Sequence, residues 1–115
     1  MREDDLVRLR HALDAANEAA LFAKNRGRSD LDSDRMLLLS LTKDIEIIGE
    51  AASKLSQETR DKYPNIPWAS IIAMRNRLIH AYFDIDPDRV WDTVKDDLPP
   101  LIAELEKIIT SEEQK

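Results

Sequence analysis

Leucines and alanines recur along the first part of the chain at steps of three and four: Leu6, Leu9, Leu13, Ala16, Ala20 and Ala23. That spacing keeps one stripe on one side of a helix. Gly27 is expected to end it with the left-handed stop common at helix termini. The same steps return at Leu38, Leu41, Ile45, Ile48, Ala52 and Leu55, with Leu37 and Ile47 widening the apolar face. They predict a second helix from about Asp32 to Arg60. YPNIP, Tyr63 to Pro67, interrupts it twice, because each proline lacks a backbone donor and disfavours helical geometry in the residue before it. A third helix is expected from about Pro67. Asp86 followed by Pro87 is a helix start, the aspartate capping free amides and the proline pre-set for the first turn.

The fourth stripe is Trp91, Val94, Leu98, Leu101, Leu105 and Ile108. It keeps register across Pro99 and Pro100, so that helix is expected to be kinked or broken without changing direction. Residues 111–115 are expected to fray. Four amphipathic segments with short connections predict an all-α, antiparallel four-helix bundle in one domain spanning residues 1–115.

The third helix departs from a plain core pattern at MRNRLIHAYF, Met74 to Phe83. On a wheel of 100° per residue, Ile71, Ile72, Leu78 and Ile79 fall within roughly 80° of Trp68 and define the core stripe. Arg75 lies in the middle of it. Ala69, Ala73, Asn76 and His80 form a second, neighbouring stripe of small and then polar residues, suited to a close partner helix. Guanidinium keeps its charge when buried, so an anion is expected near Arg75; Glu46 and Glu50 are the available carboxylates. Arg75 and Tyr82 are nearly superposed two turns apart, but His80 lies about 140° from Arg75. One straight helix cannot aim Arg75 and His80 at one point. Either the arginine stem wraps round, or the helix loosens near Ala81, or a second copy of the helix completes the site; a two-fold dimer is the preferred solution.

Composition narrows the classes. With 115 residues and no cysteine, the chain has neither disulfides nor thiolate metal sites, and a reducing cytoplasm is its natural setting. The acidic start MREDDLVRLR is unlike a signal peptide. The densest apolar run, MLLLSL, is far shorter than the roughly 18 residues of a membrane span, so a soluble protein with no membrane contact is expected. The net charge of −6 weighs against a general nucleic-acid coat and requires any RNA contact to be local. Glu46 and Glu50 are one turn apart and could ligate a cation, but with no histidine nearby no metal and no cofactor is expected. Lys24, Arg26 and Arg28 read as a solvated helix end, and His11 as surface. Gly49, costly by roughly 1 kcal/mol inside a helix, is expected to permit a close helix crossing.

Arg75, four residues, His80, one residue and Tyr82 match the R-x4-6-H-x-Y signature of HEPN domains. The chain resembles the HepT-like toxins of HepT/MNT toxin–antitoxin pairs, a type VII system. The resemblance extends through KDIEIIGEAASKLS, IPWASIIAMRNRLIHAYF and IDPDRVWDTVKDDLPPL, covering roughly residues 35 to 105. It implies a HEPN-type helical domain that dimerises, cleaves RNA without a metal, and is silenced by a partner nucleotidyltransferase. Carried over, Arg75 and His80 are the catalytic residues and Tyr82 is the hydroxyl that receives AMP. Asn76 matches a polar position often found beside the arginine, and Arg77 is a solvated charge or an RNA-backbone contact.

Histidine titrates near neutral pH and suits deprotonation of a 2′-hydroxyl. Arginine offers a forked, permanent charge to the phosphate oxygens. Without the motif, His80 reads as a helix-end histidine bonded to a carbonyl, Tyr82 as an interface aromatic, and Arg75 as the structural partner of Glu46 or Glu50. The alternative function is a non-catalytic helical subunit that binds a nucleotidyltransferase, a reading the acidic charge keeps open.

Overall fold

The chain folds as a helical bundle. The computed structural model describes residues 1–80 and 84–115, and all of their side chains except those of Ile79 and His80. The order is α1 (Glu3–Ala23), α2 (Asp30–Ser33), α3 (Arg35–Ser53), α4 (Gln57–Lys62), α5 (Trp68–His80), α6 (Pro87–Asp92), a π-helical turn (Thr93–Asp97) and α7 (Leu98–Glu113). No strand occurs among the described residues. None of these helices is long and apolar enough to cross a membrane.

α1 packs against α3 and α7, and α3 carries α5 on another flank. The buried face of α1 differs from the expected stripe. Leu9, Ala12, Ala15, Ala16, Ala19 and Ala23 are buried, Leu6 and Leu13 are only half-buried, and Ala20 is exposed. The small side chains face inward because α1 is pressed between two helices, where alanine allows close approach. Gly27 does not provide the left-handed residue; Asn25 does, at φ 61°. Its short amide tolerates that conformation better than most side chains. Of the basic residues after α1, Lys24 is exposed as expected, whereas Arg26 pairs with Asp34 at 2.9 Å and Arg28 with Asp32 at 3.0 Å and with Asp88.

The expected Asp32–Arg60 helix is three helices. Asp34 adopts extended geometry and caps α3 by accepting from the Leu37 amide at 3.1 Å. Ser56 does the same for α4 through the Thr59 amide at 3.3 Å. Asp5 of α1 fixes the second break: its carboxylate accepts from the Ser56 amide at 3.1 Å, the Ser56 hydroxyl at 2.6 Å and the Thr59 hydroxyl at 2.7 Å. Burial acts to raise the Asp5 carboxyl, and these hydrogen bonds overcome it and hold the group below its ordinary value.

α5 starts directly after Pro67, whose carbonyl accepts from the Ile71 amide at 3.1 Å, and Asp86 caps α6 as expected. The π turn immediately precedes Pro99 and Pro100. Those prolines cannot donate to the carbonyls of Lys95 and Asp96 and would clash with them in a regular helix. Widening the turn there keeps the α6–α7 direction and the buried register of Val94, Leu98, Leu101, Leu105 and Ile108. α7 continues past Ser111 because buried Glu112 holds Lys62 at 3.4 Å and Lys115 at 3.2 Å.

Asp44 of α3 is 1% exposed among the core leucines. Burial, reinforced by the neighbouring carboxyl of Glu18, pushes its pKa up to about 7. That value exceeds the 3.8 of an ordinary aspartate, so the folded chain binds a proton there that the unfolded chain has released. The corresponding stability is complete below the ordinary value and is lost as pH rises through the folded one. Thermal unfolding of the wild type is therefore expected to shift down by several degrees between pH 5 and pH 8, where about 1 kcal/mol corresponds to roughly 4–8 °C. Asp44→Asn should flatten that slope; an unchanged slope would exclude Asp44 as its source.

Candidate functional site

The α3–α5 crossing brings the chemistry-bearing residues together. Gly49 of α3 faces Arg75 so closely that a Cβ built on the glycine would lie 2.1 Å from Arg75 Cβ, 2.8 Å from its Cγ and 3.2 Å from the Ile71 carbonyl oxygen. The glycine lets the arginine stem lie across the backbone of α3. One turn of stem further, Arg75 Nη1 stands 3.6 Å from Glu50 Oε2. The Arg75 side chain is 20% exposed, enough to leave the guanidinium at a protein–solvent boundary.

Glu50, and not Glu46, is thus the anion beside Arg75. Its other oxygen, Oε1, lies 3.1 Å from Lys54 Nζ. Lys54, with Arg75 behind it, holds the Glu50 carboxyl below the ordinary glutamate value. Glu46 turns toward Lys43 at 3.9 Å. Lys54 carries one signal in the sequence, its position four residues after a glutamate on a helix, which is the favoured ion-pair spacing.

Asn76 and Arg77 are exposed, and Ala69 and Ala73 on the same flank of α5 are exposed and half-buried. Arg77 borders an apolar groove of about 640 Å³ between α5 and the α6–α7 helix, floored by Ile71, Met74, Leu98 and Leu101, with Arg89 on the opposite wall. α5 is helical through His80. Over five helical positions His80 is rotated about 140° from Arg75. The His80 side chain and the whole of Tyr82 lie outside the described residues.

The family model described as "Ribonuclease HepT-like" matches residues 12–108, including most of α1 as well as the segments that carry the motif. The chain is 36% identical to a candidate RNase of Methanocaldococcus jannaschii, over 82% of this chain and 86% of the relative. It is 38% identical to a probable ribonuclease HepT of Thermococcus cleftensis, over 69% and 72%. A candidate RNase of Caldanaerobacter subterraneus subsp. tengcongensis is 32% identical over 90% and 93%. No solved structure is a significant match.

Proposed function

For a chain that belongs to the Ribonuclease HepT-like family, we propose the function of a metal-independent endoribonuclease toxin, active as a homodimer and neutralised by a nucleotidyltransferase antitoxin. The observation that carries it is the guanidinium of Arg75, held at the solvent boundary by Glu50 on a helix that also bears His80. A guanidinium carries five N–H donors, more than one carboxylate can accept. Here the carboxylate is shared with Lys54, leaving charge on the guanidinium to meet a phosphate.

In the proposed reaction His80 takes the proton of a ribose 2′-hydroxyl. The 2′ oxygen forms its bond to phosphorus as the bond to the 5′ oxygen breaks, and Arg75 stabilises the charge accumulating on the phosphate. The leaving 5′ oxygen takes a proton from an imidazolium, leaving a 2′,3′-cyclic phosphate and a 5′-hydroxyl. The rotation between Arg75 and His80 favours a site completed across two copies of α5, with Asn76 and the small residues Ala69 and Ala73 facing the partner. Asn76 orients the imidazole or the ribose, and Arg77 contacts the RNA backbone. The carboxylate of Glu50 orients Arg75; Glu46 is the weaker candidate for that role.

Tyr82 is the proposed acceptor of AMP from ATP, with pyrophosphate released. Each added nucleotide brings negative charge and bulk toward Arg75 and opposes RNA.

Purified protein incubated with RNA in the presence of a chelator is expected to give cyclic-phosphate ends. Absence of cleavage would instead favour the non-catalytic subunit. Tyr82→Phe is expected to cleave RNA as the wild type does and to escape inactivation by antitoxin and ATP. Full protection of that variant would refute the covalent route.

A further inference from the structure

A second cluster of cations lies on the other side of Glu50. α1 and the outward face of α3 form a cleft of about 320 Å³ with Arg8 and His11 on one wall and Lys43 and Lys54 on the other. Ile47 and Ala51 also line it, and Glu46 and Glu50 complete the lining. Lys43 and Lys54 are 71% and 55% exposed, and His11 is exposed. Arg8 is fixed by its Nε, which donates to the Lys54 carbonyl at 3.3 Å; that bond braces the two walls and leaves the terminal nitrogens as further donors.

Three permanent cations and a histidine face two carboxylates, so this cleft is locally positive on a chain of net charge −6. Both carboxylates are already engaged by cations: Glu46 by Lys43, Glu50 by Lys54 and Arg75. The arrangement presents nitrogen donors outward and repels an approaching phosphate less than bare carboxylates would. Glu50 is also the shared wall, with Lys54 on one oxygen and Arg75 on the other.

We propose that this α1–α3 cleft binds the ribose–phosphate backbone of the RNA strand next to the scissile bond, continuing the line of positive charge that begins at Arg75. The proposal rests on the ribonuclease reading and deepens it. Lys43, Lys54 and Arg8 contact phosphate oxygens, while the apolar surface of Ile47 and Ala51 supports a base. Contacts of this kind hold the strand without reading its sequence. They also explain how a strongly acidic chain retains RNA, since only the local potential meets the strand.

The test uses the full chain and a fluorescent 2′-O-methyl oligoribonucleotide, which cannot be cut, in anisotropy titrations at several salt concentrations. Lys43→Glu and Lys54→Ala are each expected to weaken binding about tenfold. Each lost phosphate contact lowers the slope of log affinity against log salt by about 0.7. Lys107→Glu, the same charge change on an exposed position of α7, is expected to have a much smaller effect. Unchanged affinity and slope in the two cleft variants, or an equal loss in Lys107→Glu, would overturn the proposal. So would AMP or inorganic phosphate competing as well as the oligonucleotide, which would make the cleft a pocket for free anions. Unmodified RNA assayed in parallel separates the two readings. Cleavage with no dependence on the cleft removes the cleft alone, binding through the cleft without cleavage removes the ribonuclease reading alone, and no binding at all removes both.

Discussion

Arg75→Ala is expected to lower RNA cleavage by about 10²- to 10³-fold, the usual cost of removing one preorganised donor from a developing oxyanion. Folding changes little. The ion pair with Glu50 is 3.6 Å long, and the two side chains are 20% and 47% exposed, a setting in which solvent screens most of its contribution to stability. Glu50 keeps Lys54 as a partner in the variant. Arg75→Lys restores charge but not the two-pronged geometry, so it is expected to recover only part of the rate. His80→Ala is expected to fall by a similar factor, as loss of a general base does.

Mixing the two variants tests where the site is built. If Arg75 of one protomer works with His80 of the other, mixed dimers of Arg75→Ala and His80→Ala contain one intact site, and random mixing restores about a quarter of wild-type activity. If both groups act within one protomer, mixing restores nothing. Wild-type cleavage by either single variant would remove that residue from the mechanism altogether.

The sequence made the buried faces of α3 and α7 legible because leucine and isoleucine at helical spacing have one sensible destination. It was less informative where the decisive partner is remote. The break before α4 depends on Asp5, and the inward turn of Ala12, Ala15 and Ala19 depends on α1 having neighbours on two sides. Arg75 announced itself as a charge in an apolar stripe, and Gly49 as a glycine inside a helix. That the two touch, and that Glu50 divides its charge between Arg75 and Lys54, are consequences of the crossing between α3 and α5. The basic cleft was invisible for the same reason: Arg8 and His11 join Lys43 and Lys54 only when α1 lies along α3.

Gly49→Ala is the substitution in which fold and chemistry fail together. Alanine gains up to about 1 kcal/mol in helix propensity over glycine, so a loosely packed position would become more stable. At Gly49 the new methyl would sit 2.1 Å from Arg75 Cβ and 3.2 Å from the Ile71 carbonyl oxygen. Neither atom is the end of a flexible side chain, and relief requires α5 to move away from α3. Overpacking of this kind costs about 1–3 kcal/mol, so the variant is expected to unfold several degrees below wild type. Moving α5 also carries Arg75 away from Glu50, and a misplacement of about 1 Å in a reacting constellation can cost 10²-fold in rate. Gly27→Ala supplies the comparison, because its nearest neighbour is a carboxylate oxygen of Asp30 at 3.9 Å, an ordinary contact. Calorimetry and cleavage rates on the two variants should therefore diverge, with Gly49→Ala losing both stability and activity and Gly27→Ala losing neither. A Gly49→Ala protein that is both as stable and as active as wild type would mean that the glycine does not set the approach of α5, and the position of Arg75 would need another cause.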